Sequence, residues 1–333
     1  MFVLDSYVWA VVFCVITMLC WGSWANTQKL AKKEWRFELF YWDYAIGVLL
    51  ISAVLALTMG SFGSQGRSFV ADLGQADSGS LISAFIGGVV FNAANILLVA
   101  AIDIAGLAVA FPVGIGLALV LGVVVNYIGT PLGDPILLFS GVALVVVAIL
   151  LDAAAYRRLA GAGTGVSRKG LLLSLACGFL MGFFYRFVAD SMSSDFSNLE
   201  AGKLGPYSAV FIFAIGVLAS NFAFNTFLMK RPFSGTPVSA SDYFRGELST
   251  HSIGVLGGMI WGIGMSFSII ASGQAGFAIS YGLGQGAIMV AAFWGVFIWK
   301  EFKEAKPGTS KFITLMFTCF IIGLALIILA RNV

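Results

Sequence analysis

Ten stretches of about twenty apolar residues follow one another along this chain, with little between them. A helix needs roughly 20 apolar residues to cross the hydrocarbon core of a bilayer. The stretches fall at 7–28, 41–60, 80–102, 105–128, 135–154, 170–189, 206–229, 251–272, 275–299 and 311–331. The expected fold is therefore an all-α polytopic membrane protein with ten transmembrane helices. The longest connections, near 60–79 and 230–250, are polar and rich in Gly and Ser. None has room for an inserted soluble domain, which excludes an attached ATPase or receptor module.

Composition points the same way. Only 11% of residues are charged, 59% are hydrophobic and mean hydropathy is +0.97. A soluble globule carries roughly a quarter charged residues and could not cover its surface with so few. The net charge of +3 gives no reason to expect a nucleic-acid partner. Cys14, Cys20, Cys177 and Cys319 all lie in apolar runs without a CxxC pair or a Cys/His cluster. They read as small buried hydrophobes, and no metal site or cofactor is expected. No Lys or Arg precedes the first apolar run, so a cleaved signal peptide is not expected.

The basic residues carry information by position. Lys29, Lys32, Lys33 and Arg36 follow the first span, and Arg157, Arg158, Arg168 and Lys169 follow the fifth. Lys230, Arg231 and Arg245 follow the seventh, and Lys300, Lys303, Lys306 and Lys311 follow the ninth. Fifteen of the 19 Lys and Arg thus fall on one side. By the positive-inside rule these loops are cytoplasmic and both termini lie outside.

The chain also repeats itself. A shift of 170 residues lays spans 3–4 on spans 8–9 without a gap. Gly87-Gly88 lands on Gly257-Gly258, Phe91 on Trp261, Ala105-Gly106 on Ala275-Gly276, Ala108 on Ala278, and Phe111 on Tyr281. Spans 3 and 8 enter the membrane from opposite sides, so the copies are inverted. A 5+5 inverted repeat is a transporter architecture with its site near the midplane between halves. The expected division is 1–160 for the first half and 161–333 for the second.

At this point the residues resemble a known family. The inverted ten-span plan, GGxxWG in the eighth span and Trp299-Lys300-Glu301 after the ninth resemble the drug/metabolite transporter superfamily. The branch it looks most like holds plant ureide permeases and bacterial glucose and rhamnose uptake transporters. WGSWANTQKL, YWDYAIGVLL, GGVVFNAANILL and AGFAISYGLGQGAIMVAAF carry that likeness, which spans nearly the whole chain. The resemblance implies a carrier of small polar solutes such as sugars or ureides. It also implies proton coupling, and a gating or protonation role for Asp43, which sits between aromatic residues.

Read residue by residue, the candidate substrate contacts are Trp21, Asn92, Asn95, Phe111, Tyr281, Gln285, Trp261 and Ser266. Trp21 lies about two turns before the first lysine, deep enough to offer a flat wall to a solute. The competing reading is an interfacial tryptophan belt. Asn92 and Asn95 must find partners, because an unpaired amide in hydrocarbon costs several kcal/mol. Those partners are either another helix or a cavity. Phe111-Pro112 and Tyr281-Gly282 break their spans at equivalent places, and Gln285 adds a large amide one turn on. Trp261 and Ser266 are weaker candidates on the eighth span. Asp43 is a candidate for gating or coupling. Otherwise it neutralises Lys32, Lys33 or Arg36. Arg186 and Asp190, four apart, are expected to form an ion pair, structural or at an outer gate. No Lys or Arg lies deep in a span except Arg186 near an end, which disfavours a strongly anionic solute.

The function expected from this is secondary-active transport of small neutral polar metabolites. The leading version is monosaccharide uptake by proton symport with alternating access. The alternatives are a ureide or nucleobase-type permease, or an uncoupled facilitator. A multidrug exporter would bury a carboxylate for cationic drugs, and a lipid enzyme would need a catalytic cluster; neither feature is visible, and no enzyme is expected. The expected partners are the solute, protons and the bilayer, with homodimer formation left open.

Overall fold

The computed structural model describes residues 1–31, 35–159, 167–233 and 235–331. Lys32 and Lys33 lie outside the described residues. The chain is an all-α polytopic membrane protein built as a 5+5 inverted repeat. Its membrane helices are α1 (Tyr7–Ser23), α2 (Phe37–Leu57), α3 (Ser78–Ala105), α4 (Phe111–Gly129) and α5 (Pro135–Tyr156). They continue as α6 (Arg168–Ser191), α7 (Pro206–Lys230), α8 (Leu248–Ala275), α9 (Phe277–Ile298) and α10 (Thr309–Leu329). A short turn of helix, Leu107–Ala110, leads into α4.

The repeat is visible in the helix ends themselves. α3 and α8 are both 28 residues long and superimpose in sequence under the shift of 170. Each ends at a glycine with positive φ, Gly106 at +75° and Gly276 at +83°. Backbone of that kind penalises any side chain, so glycine is needed there. The repeat is visible in packing too. α3 packs along α6 as α8 does along α1, and α3 along α7 as α8 does along α2. α4 meets α6 as α9 meets α1, while α5 and α10 pair with each other. The largest contacts between helices n and m thus recur between their mates five helices away.

Glycines set the closest of these contacts. A Cβ on Gly47 of α2 would overlap Val255 O of α8, and one on Gly216 of α7 would overlap Phe85 O of α3. Likewise, Gly258 faces Tyr44 O and Gly88 faces Phe213 O. Phe85 and Val255 are repeat mates, so the same backbone-to-backbone seam is built twice. Lipid supplies no hydrophobic drive between helices, and small residues let backbones approach for van der Waals packing instead.

The first span departs from expectation. The run 7–28 was expected to be one helix, but α1 ends at Ser23 and a separate turn covers Asn26–Leu30. Side chains cause the break. Asn26 Nδ2 bonds Ser23 O at 3.2 Å and Thr27 Oγ1 bonds Trp24 O at 2.7 Å. Short polar side chains of this type compete for the carbonyls that would continue a helix. The fourth and ninth spans are also irregular. α4 opens with a wide i→i+5 turn over Phe111–Ile115, where Pro112 has no N–H to give. α9 loosens at Gln285–Gly286 and again at Trp294–Ile298.

At one end of the molecule the loops are tied together. Arg67 Nε bonds Asp72 Oδ1 at 3.0 Å, and its terminal nitrogens reach the carbonyls of Leu199, Glu200 and Lys203. Asp72 Oδ2 accepts from Gly205 N at 2.7 Å. The loop after α2 is thereby fastened to the loop after α6.

Candidate functional site

Between the two helix sets lies a cavity of about 410 Å³. Its floor is aromatic: Phe91 and Trp261, with Phe184 beside them. Trp21, Trp24 and Phe37 line one side and Phe111 the other. The cavity extends to the end of the molecule where α1 finishes and α2 starts, past Gln28 and Phe37. Beneath the floor the core is closed. Tyr185 Oη and Ser268 Oγ lie 3.0 Å apart there, and Ser280 Oγ donates to Ser268 O at 2.6 Å.

None of the lining side chains carries a charge. The polar groups are three amides, Gln28, Asn95 and Gln285. Asn95 Nδ2 donates to Tyr41 Oη at 3.0 Å, which donates in turn to Asn92 Oδ1 at 2.9 Å. Asn92 Nδ2 reaches Ser220 Oγ at 2.8 Å. The relay holds Asn95 in place and leaves its Oδ1 without a partner among the described residues. Gln28 and Gln285 likewise make no side-chain hydrogen bond among the described residues. Such a wall offers donors and acceptors to a neutral ligand, and each that stays unmatched on ligand binding costs about 1–3 kcal/mol.

Of the substrate contacts expected from sequence, the structure brings Trp21, Asn95, Phe111, Gln285 and Trp261 to the cavity wall. Trp21 stacks on Trp261 at 5.8 Å and 12°, and its indole N–H donates to Trp261 O at 3.3 Å. Asn92, Tyr281 and Ser266 lie behind the wall. Asn92 turns toward α7, and Ser266 Oγ returns to Gly262 O at 2.8 Å. Tyr281 is fully buried, with its hydroxyl on Ala118 O at 3.1 Å and Met181 O at 3.2 Å. Sequence reasoning missed Phe91, Phe184 and Met181. For Phe91 a signal existed, since it is the repeat mate of Trp261. Trp24 and Gln28 share a helical face with Trp21, which was the corresponding signal for them.

Asp43 is buried but does not line the cavity. Its Oδ1 accepts from Tyr243 Oη at 2.7 Å and lies 2.8 Å from His251 Nδ1. Of the basic partners expected for Asp43, Arg36 pairs with Glu38 at 2.5 Å, and Lys32 and Lys33 lie outside the described residues. Burial and the adjacent Asp43 carboxylate raise the Tyr243 phenol, so it stays a hydrogen-bond donor to Asp43. Asp43 thus pins α2 to α8 and to the short helix Ala240–Phe244. Arg186 and Asp190 do form the expected ion pair, and Arg186 reaches Thr130 Oγ1 at 3.5 Å beyond the end of α4. The four cysteines are free, three of them buried.

A polytopic bundle with inverted symmetry around such a cavity has the architecture of a transporter. The family model for ureide permeases matches residues 40–164 and 157–330, and the chain belongs to the ureide permease family. Ureide permease 1 of Arabidopsis thaliana is 22% identical over 386 residues, covering 98% of each chain. Ureide permease 2 of the same plant is 22% identical over 391 residues, again with 98% of each chain covered. A solved protein crystal structure shares the fold, with a TM-score of 0.62 at 15% identity over 97% of this chain and 98% of that one.

Proposed function

We propose that this transporter carries a neutral ureide, or a related cyclic amide, by alternating access between its two inverted halves, 1–160 and 161–333. The carrying observation is a cavity lined by no charged side chain, in which the amides of Gln28 and Gln285 and the Oδ1 of Asn95 have no partner among the described residues. A ureide is flat, uncharged and dense in N–H and C=O groups. It suits amides for hydrogen bonding and the faces of Trp21 or Trp261 for stacking. Monosaccharide uptake, the leading expectation from sequence, has less support, because the family and the relatives that match are ureide permeases.

In this reading the basic loops face the cytoplasm and both termini face out. The cavity then extends inward, the Arg67 network seals the outer side, and Arg186–Asp190 belongs to that outer closure. Asp43 acts as an inner latch through Tyr243 and His251. A proton travelling with the solute would make the transport uptake. Calorimetry on the purified, monodisperse chain with allantoin, uracil, glucose and rhamnose tests the reading. Allantoin or uracil is expected to bind and the sugars not. Sugar binding without ureide or uracil binding would overturn it.

A further inference from the structure

A second cavity of about 190 Å³ adjoins the first and shares Gly22, Ala25, Phe111, Ile288 and Ala291 with it. It is different in chemistry. Asp152 and Tyr156, one turn apart on α5, face Glu301 just beyond α9 and Lys29 just beyond α1. Glu301 is fully engaged. Lys29 Nζ lies 3.0 Å from its Oε1, and Tyr156 Oη donates to its Oε2 at 3.0 Å. Asp152 is only 6% exposed. It lines the cavity with no hydrogen bond or ion pair to any described residue. A carboxylate taken out of water is costly unless it is paired, and no described residue pairs it.

Of the spans packed around Asp152, α10 carries one cation, Lys311 at its start, which is exposed and makes no ion pair with Asp152. α10 packs along the length of α5, and from Phe312 to Leu329 its one titratable side chain is Cys319. α4 offers only Tyr127, and α9 only Tyr281. Among the described residues Lys29 is the one base lining the cavity, and it is committed to Glu301. The two cavities share walls: Phe111 and Ile288 border both, and α9 has its wide i→i+5 turn at Trp294–Ile298. Such turns inside helices often mark functional positions.

We propose that Asp152 is the proton-binding site that couples transport, resting on the reading of the chain as a ureide carrier. A proton from the outer solution binds one Asp152 carboxylate oxygen when the cavity faces out, and leaves to the cytoplasm when the cavity faces in. No other atom changes hands. Neutral Asp152 can lie beside Glu301 without repulsion, so protonation lowers the cost of keeping the α5 and α9 ends together, where Tyr156 Oη already meets Glu301 Oε2. Asp43, held by Tyr243 and His251 away from the cavities, is a latch and not the carrier of the proton.

Two measurements on the full chain test this. The first is labelling with dicyclohexylcarbodiimide, which adds the O–H of a protonated carboxyl group across its N=C bond. Peptide mass analysis is expected to find the label on Asp152, falling as pH rises. Absence of label on Asp152 at every pH would overturn the site. The second uses proteoliposomes with a lumenal pH dye and radiolabelled allantoin. The number of protons entering per allantoin is expected to fall at least tenfold in Asp152→Asn and to persist in Asp152→Glu. An unchanged ratio in Asp152→Asn, or wild-type uptake driven by sodium and indifferent to pH, would also overturn it. The two readings fail separately. pH-dependent labelling in a chain that does not move allantoin would refute the ureide reading and keep the proton site. Allantoin transport without proton entry would do the reverse.

Discussion

Phe91 and Trp261 are repeat mates, and they touch: their ring centroids lie 4.3 Å apart with 31° between the planes. Residues related by a two-fold axis can meet only on that axis. The floor of the cavity therefore marks the pseudo-symmetry axis, which is where an inverted-repeat transporter holds its solute.

The cavity wall should be felt in binding. Gln285→Ala and Trp21→Ala are each expected to weaken allantoin binding at least about tenfold, or about 1.4 kcal/mol. Trp9→Ala, at a site 55% exposed at the other end of α1, should leave it unchanged. Calorimetry on folded variants checks this. Unchanged affinity in both cavity variants would put the site elsewhere.

The glycine seams should resist even a methyl group. Gly88→Ala and Gly258→Ala each push a Cβ into a facing carbonyl and should cost about 1–3 kcal/mol, as overpacking does. Gly74→Ala meets nothing within 4 Å and serves as the control. Apparent melting temperature in detergent is the readout. Equal melting of all three proteins would mean that the seams yield freely.

Arg67 should control access from its own side of the membrane. Arg67→Ala removes three carbonyl contacts and the ion pair with Asp72. A cysteine at Ser193, fully buried beside that network, should then react faster with a hydrophilic maleimide, by at least about fivefold, given a loss of order 1 kcal/mol. No acceleration would show that the loops stay closed without Arg67.

Orientation can be read in intact cells. A cysteine replacing exposed Ser197 is expected to react with an impermeant maleimide, and one replacing exposed Ser241 is not. The opposite pattern would invert the assignment drawn from the basic loops.

The helix framework was legible because span length and glycine punctuation are local properties. The shift of 170 residues found α3 and α8 together with the breaks at Gly106 and Gly276. What the sequence did not carry was the rotation of each helix about its own axis. A helix that is apolar all round does not mark which face meets lipid and which meets a neighbour. Asn92 and Asn95 looked alike, yet three residues of separation turn one toward Ser220 and the other into the cavity. The Asp43 cluster was hidden for another reason: its partners Tyr243 and His251 are 200 and 208 residues away. Arg36, which is close in sequence, was engaged elsewhere.

Tyr281 and Phe111 occupy equivalent places, but only one of them has a hydroxyl. In the conformation described, Tyr281 fills the closed side and spends its hydroxyl on Ala118 O and Met181 O, while Phe111 borders open space. Exchanging the conformations of the two halves would put Phe111 into the closed side, where it has no group to bond those carbonyls' counterparts. It would also draw Tyr281 out of its cradle. Under the proposed alternating access, the two faces of the carrier would then differ in free energy when empty, through the single oxygen atom by which the repeats differ at this position.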